Sequence, residues 1–168
     1  RVARVVPDAD ADAARVIATL PLLGGHVLEP LAPPVRLDGA LAIAYPRVTP
    51  GLDGREDLAM GGACLAGLHR IDTDDLDLPV FDPRTIAERW LDRRPDVLLT
   101  HERDRLLAGI DEAWPAVVGP TAVLHGDAHP ANWWVAREDW WVLIDPEFLS
   151  LGPAVYDLAP LEVVERRL

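Results

Sequence analysis

Hydrophobic and polar positions change period several times along this chain, and each change marks an element. Arg1 to Val6 is a valine-rich run that stops at Pro7. It reads as a short strand, because β-branched residues suit a strand and proline ends one. Asp8 to Asp12 is an acidic run suited to a helix N-terminus. Ala13 to Leu20 follows as a helix with Val16, Ile17 and Leu20 on one face. Gly24-Gly25 breaks the chain. Val35-Arg36-Leu37 and Ala40 to Tyr45, joined by Asp38-Gly39, predict a hairpin with an Asp-Gly turn. Pro46, Pro50 and Gly51 keep 46–51 out of helix and sheet, so a linker is expected there.

Past the linker the period becomes helical. Asp57 to His69 carries Leu58, Leu65 and Leu68, with Gly61, Gly62 and Gly67 allowing close packing. Ile71 to Pro83 is an acidic, proline-containing loop, and Arg84 to Arg93 and Glu102 to Trp114 are further helices with mixed charges on one face. Val117 to Leu124 leads through a Gly-Pro turn into a strand. Trp133-Trp134-Val135 and Trp140 to Ile144 are aromatic and β-branched runs flanking the polar turn Ala136 to Asp139, the pattern of a β-hairpin. No internal repeat interrupts this order. The expectation is an α+β chain: a small strand–helix–hairpin lobe over 1–45, a hinge at 46–51, and a mainly helical lobe over 52–168 that carries the Trp-rich hairpin.

The chemistry concentrates between Leu124 and Ala159. Asp127 precedes Asn132 by five residues, and Asn132 precedes Asp145 by thirteen, with the hairpin between them. A hairpin returns its second strand beside its first, so Asp145 comes back close to Asn132. Phosphoryl transfer needs an acceptor held in line and phosphate charge neutralised. A carboxylate such as Asp127 can orient a hydroxyl and take its proton, while Asn132 and Asp145 offer hard oxygen ligands suited to Mg²⁺. Asp127 or Asp145 taken singly reads as an ordinary loop residue; the three together on one frame point to function.

His125-Gly126-Asp127 with Asn132, then Ile144-Asp145, Gly152 and Tyr156-Asp157-Leu158-Ala159, resembles the aminoglycoside phosphotransferase and choline kinase-like family. The resemblance implies a protein-kinase-like fold, ATP or GTP as donor, and Mg²⁺. It further implies that Asp127 is the catalytic base, that Asn132 and Asp145 hold the metal, and that Asp157 is a structural brace below the site. By position it puts nucleobase contacts near Arg47 and Thr49. It puts Arg4 where a lysine usually meets the α- and β-phosphates, although the two cations differ in geometry. Asp10 or Asp12 stands where a helix acid would pair with that cation. No Gly-rich phosphate loop precedes Arg1, the chain opens without Met, and it stops soon after Asp157. An incomplete family member, truncated at both ends, is therefore expected.

Composition narrows the partners. The 168 residues are 49% hydrophobic and 26% charged, as in a soluble globular protein. Net charge is −12, and all sixteen basic residues are Arg, which argues against nonspecific nucleic-acid binding. Fifteen Asp and Glu face eight Arg between Gly51 and Ala113. Most of those charges read as a solvated surface, but an acidic lobe would also attract a cationic hydroxyl acceptor. The lone Cys64, in an apolar stretch, reads as a packing thiol in a reducing compartment. No uncharged run approaches the roughly 18–20 residues a bilayer span needs, so no membrane and a cytoplasmic location are expected. The Trp cluster reads as hairpin and core packing, His125 as a loop-orienting residue, and His69 as structural. His129 reads equally as a substrate contact or a hydrogen-bonding group. Two alternatives stand beside the phosphotransferase: a noncatalytic binding module of the same fold, and a metal-dependent phosphoesterase built on Asp127 and His129.

Overall fold

The structure, a computed structural model, describes residues 2–7, 11–38, 40–50, 55–136 and 140–159; at 2–7, 11–13, 37, 50, 55–58 and 147 it describes the backbone alone. β1 (Val2–Pro7), β2 (Val35–Leu37) and β3 (Ala40–Tyr45) form an antiparallel sheet in the order β1-β3-β2. α1 (Ala11–Thr19) follows β1 and tightens into a 3₁₀ turn over Leu20–Leu22, where Pro21 cannot donate the next helical bond. The hairpin expected around Asp38 is present, with Leu37 opposite Ala40. Gly39 of that turn lies outside the described residues.

The connector at 46–51 departs from expectation. Thr49–Pro50 forms a short strand, β4, pairing with Val135 and Trp134 of β6 (Trp133–Val135). β4 is the edge of a sheet ordered β4-β6-β7, with β7 at Trp141–Leu143. An edge strand needs hydrogen bonds on one side only, so Pro50 is tolerated there. Gly51 lies outside the described residues.

α2 (Arg55–Leu68), α3 (Pro83–Arg93) and α4 (Thr100–Ala113) supply the helices of the second half. Asp82 caps α3: its carboxylate accepts from the Arg84 N–H at 3.0 Å and the Thr85 hydroxyl at 2.6 Å. The Thr85 hydroxyl is the main reason its pKa falls below the ordinary value. α4 begins two residues earlier than its apolar pattern suggests, because Glu102 reaches back to accept from the Leu99 N–H at 2.8 Å. β5 (Thr121–Leu124) pairs antiparallel with β8 (Ser150–Pro153), Leu124 opposite Ser150. A helical stretch over 155–159 follows.

One apolar cluster holds these parts together. Val16 and Leu20 from the first half pack with Leu65 and Leu68 of α2, Val123 of β5, Trp133 of β6 and Leu143 of β7. Chain segment 26–28 lies along β7: the Leu143 N–H donates to His26 O, and the Leu28 N–H donates to Leu143 O. Cys64 is buried there, and burial pushes its thiol up to about 11, the state of an unreactive packing residue. Among the described residues, no helix is long and apolar enough to cross a membrane.

Two neighbouring glycines on α2 test this packing. A Cβ at Gly61 would fall on the buried Trp133 ring, whereas one at Gly62 would meet nothing within 4 Å. Gly61→Ala is expected to destabilise the fold by about 1–3 kcal/mol through overpacking. Gly62→Ala is expected to stabilise it by about 0.4–1 kcal/mol by restricting the unfolded chain. Urea melts of the two variants should move in opposite directions.

Candidate active site

The loop after β5 is held from below by a carboxylate. Asp157 is fully buried, and both its oxygens accept backbone hydrogen bonds: Oδ2 from the His125 N–H at 2.8 Å, Oδ1 from the Gly126 N–H at 2.9 Å. His69, at the end of α2, donates Nε2–H to the same Oδ2 at 3.0 Å. Gly126 itself sits at φ +80°, and a Cβ there would lie 2.5 Å from the Phe148 carbonyl oxygen. Only glycine fits that turn. With two successive N–H groups fixed, the chain reverses and Asp127 emerges half-exposed at the surface.

His125 is buried, and its Nε2–H donates to Ile144 O at 2.8 Å. It thereby ties the loop to the residue before Asp145. Among the described residues Nδ1 has no hydrogen-bond partner. Burial, the dominant effect, holds the imidazole pKa below 6.5 despite Asp157 nearby, so the ring is neutral. The expected loop-orienting role is what this geometry performs.

Asn132 ends a 3₁₀ turn over Pro130–Asn132 and is buried. Its Nδ2 donates to Asp127 O at 2.8 Å and to Asp127 Oδ2 at 3.1 Å. A carbonyl oxygen can only accept, so the amide orientation is set by chemistry, and Oδ1 is the Asn132 atom left for a ligand. The expected hairpin is present, with Trp133 opposite Leu143, and the Ile144 N–H donates to Asn132 O at 2.9 Å. Asp145, the next residue, is thus brought beside Asn132. It is exposed and has φ 63°, ψ 56°, a left-handed conformation that Asp and Asn tolerate better than most residues. The turn residues 137–139 lie outside the described residues.

Other positions fall away from this centre or outside it. Arg4 pairs through its backbone opposite Ile43, and its side chain is not among the described ones. Asp10 and the side chain of Asp12 are also outside them. Arg47 and Thr49 are exposed. Arg47 borders a cleft of about 360 Å³ with Glu29, Pro30, Ala136 and Trp140, at the turn end of the β6–β7 hairpin. Asn132 and Asp145 sit at the opposite end of the hairpin. Among the described residues no three His, Cys, Asp or Glu side chains cluster as metal ligands.

Sequence reasoning missed two features of the site. The His69–Asp157 contact joins residues 88 apart, and nothing local in either segment announces it. The Trp134 indole N–H donates to Ala131 O at 2.8 Å, fastening the loop between Asp127 and Asn132. Its only signal was an indole immediately after the turn.

The sequence over residues 1–162 matches the model of the phosphotransferase enzyme family. The chain belongs to that family. No curated protein sequence matches the chain. Solved structures show the protein-kinase-like fold shared by its neighbours. An aminoglycoside 2'-phosphotransferase-IIIa in complex with GDP is 18% identical, with a TM-score of 0.59, over 89% of this chain and 60% of its own. A choline kinase from Streptococcus pneumoniae is 17% identical, with a TM-score of 0.62, over 92% and 57%. An aminoglycoside-3'-phosphotransferase of type VIII is 22% identical, with a TM-score of 0.66, over 94% and 66%. This phosphotransferase-family chain therefore spans less than two thirds of the length of each.

Two measurements probe the buried frame. Asp157→Ala strands the His125 and Gly126 donors, and is expected to lower stability by at least about 1–3 kcal/mol in denaturant melts. The second is pH dependence. Burial lowers the His125 pKa, so below pH 6.5 the folded state binds fewer protons there than the unfolded chain does. Stability is therefore fully present above pH 6.5 and falls as pH drops below it, by up to about 1.4 kcal/mol per pH unit. His125→Gln keeps a donor for Ile144 O without titrating, so its melts between pH 7.5 and 5.5 should show a shallower loss than the parent's.

Proposed function

We propose that this chain carries the catalytic residues of a phosphotransferase that moves the γ-phosphoryl group of ATP or GTP to a hydroxyl of a small, cationic molecule. The observation that carries the reading is the contact between Asn132 and Asp127, in which one side chain fixes the other, while the hairpin register and the Ile144–Asn132 bond support Asp145 as a neighbour of Asn132. Family membership supports phosphoryl transfer to small-molecule hydroxyls in general. GDP in the aminoglycoside 2'-phosphotransferase complex supports a nucleoside-phosphate donor. The names of the neighbours, aminoglycoside phosphotransferases and a choline kinase, support a cationic acceptor. The net charge of −12 points the same way. Much of the acid between Gly51 and Ala113 is nonetheless structural: Asp77 pairs with Arg15, Asp92 with Arg103, and Asp111 with Arg84.

In this reading Asp127 accepts the acceptor's hydroxyl proton as that oxygen attacks the γ-phosphorus. The bond from phosphorus to the bridging oxygen breaks, and a nucleoside diphosphate leaves. Asn132 Oδ1 and the Asp145 carboxylate form a donor set of hard oxygens, fitting Mg²⁺, which typically takes few protein ligands and keeps water and phosphate oxygens. Bound there, Mg²⁺ neutralises charge on the phosphates. The three-residue strands of the hairpin span about 10 Å, which separates Asn132 and Asp145 from the 46–49 connector. That separation suits a nucleotide with its base near Arg47 and Thr49, its phosphates at the metal and Arg4 as their cation. The lobes would then divide as 1–45, 46–51 and 52–168.

A hydrolytic reading fares worse. A two-metal phosphoesterase needs further His or Asp ligands around Asp127 and His129, but His69 is bound to Asp157 and His125 to Ile144 O.

Two substitutions check the assignment. Asp145→Asn suits the left-handed conformation but removes a charge, and is expected to abolish most Mg²⁺-dependent nucleotide binding in calorimetry while leaving the melting temperature near the parent's. Unchanged binding would remove Asp145 from the metal site. Asp127→Asn should lower turnover by roughly 10²–10⁴-fold with nucleotide affinity little altered, the pattern of a group that acts in the transition state. The assay is a Mg²⁺–nucleotide consumption screen over aminoglycosides, choline-like amino alcohols and sugars, run on a chain that turns over. Nucleotide binding with no product from any acceptor would favour the noncatalytic module instead.

A further inference from the structure

Asp127 presents two unlike oxygens. Oδ2 is contacted by two nitrogens, Asn132 Nδ2 at 3.1 Å and His129 Nε2 at 3.5 Å. Oδ1 takes no hydrogen bond among the described residues. The protonation pattern of His129 follows from its other nitrogen. Nδ1 accepts the Ala131 N–H at 3.2 Å, so it carries a lone pair, and the ring proton belongs on Nε2. That proton faces Asp127. The imidazole is set in place by its own backbone, because the His129 N–H donates to Asp127 O and the Asn132 N–H donates to His129 O, both at 2.9 Å. His129 and Asp127 are each 42% exposed, so both members of this pair are open to solvent.

We infer that His129 is a positioning residue for Asp127: its Nε2–H, together with Asn132 Nδ2, anchors Oδ2 and turns Oδ1 toward the acceptor hydroxyl as the oxygen that takes the proton. The catalytic part of this statement rests on the phosphotransferase reading; the tautomer and the contact do not. A carboxylate held by one donor alone rotates about its Cβ–Cγ bond and exchanges its oxygens. A second donor on the same oxygen favours one orientation, and misplacement of a reacting atom by about 1 Å costs up to roughly 10²-fold in rate. The separation of 3.5 Å is that of a loose contact, which closing of the site around substrate would shorten.

The test separates the two jobs of the ring. In two-bond ¹H–¹⁵N spectra of the protein without substrate, His129 should show the Nε2–H form near pH 7.5, with Nδ1 at the position of a hydrogen-bonded acceptor, and Asp127→Asn should displace the Nε2 signal. A ring protonated on Nδ1, or signals indifferent to Asp127→Asn, would overturn the proposal whether or not an acceptor has been found. For turnover, asparagine places its amide near Nδ1 and glutamine near Nε2. His129→Asn keeps a partner for the Ala131 N–H and loses the contact to Asp127, so kcat should fall roughly 10–100-fold with nucleotide KM and melting temperature near the parent's. His129→Gln restores a donor to Asp127 and should recover most of that loss. Equal kcat in the Asn variant and the parent, or loss in both variants tracking a lower melting temperature, would make the ring a structural cap only.

Discussion

The buried carboxylate of Asp157 is the constraint from which the site follows. Desolvating an unpaired carboxylate is far more unfavourable than any single contact can offset. Asp157 is tolerable because three donors converge on it: the N–H groups of His125 and Gly126, and the His69 ring. The same bonds settle the backbone of the loop. Two adjacent N–H groups that point at one carboxylate force a turn at Gly126, and the left-handed φ there admits no side chain. Asp127 is the first residue the turn releases. Asp157 itself is placed by β8, which runs back along β5, and by Tyr156, whose ring packs on Phe81 with centroids 4.1 Å apart.

A second constraint couples the loop to the hairpin. Asn132 is the hinge pin of that coupling, donating to Asp127 with its side chain and accepting from Ile144 with its backbone. His125 closes the ring from the other side through Ile144 O. Ile144 is thus held at both its N–H and its C=O, and the left-handed Asp145 follows directly from a residue with no rotational freedom left. Strain at a polar residue, surrounded by contacts that over-determine it, is characteristic of sites where geometry matters more than local stability. The two carboxylates, one on each arm, are placed by a single closed circuit of hydrogen bonds rather than by separate local motifs.

Those parts of the circuit that are contiguous in sequence were legible beforehand. The hairpin was readable because β-branched and aromatic runs flank a polar turn. The Asp127–Asn132 step was readable because five residues of loop leave little choice of geometry. Cys64, His125 and three of the four clustered Trp residues, Trp133, Trp134 and Trp141, took the packing and orienting roles their contexts suggested, whereas Trp140 is 54% exposed. What escaped was long-range or depended on an edge. Pro50 reads as a strand breaker, yet β4 needs bonds on one side only, which no local pattern reveals. The partner of Asp157 on α2 is 88 residues away. The left-handed turn at Asp145 is invisible in a residue that also commonly ends strands. The α4 start was displaced by the reach of Glu102, a side-chain effect that an apolar pattern does not register.

The core adds a consequence for how the two halves of the chain behave. Val16 and Leu20, which follow the strand bearing Arg4, do not pack only among themselves and their sheet. They are buried with Leu68, Val123 and Trp133, the residues beneath the loop that carries Asp127. Thr19 reinforces the join, its hydroxyl donating to Arg15 O at 3.0 Å and approaching Asp77 O at 3.4 Å. Opening the first half away from the second would therefore expose apolar surface from both, at about 25 cal/mol for each Å² uncovered. The sheet is joined to the same body by a second cluster, in which Ile43 and Tyr45 of β3 are buried with Leu28 and with Val142 of β7, against Ile17 of α1 and Trp134 of β6. Separating either α1 or the sheet from the residues around Asp127 would therefore uncover buried apolar side chains on both sides of the divide.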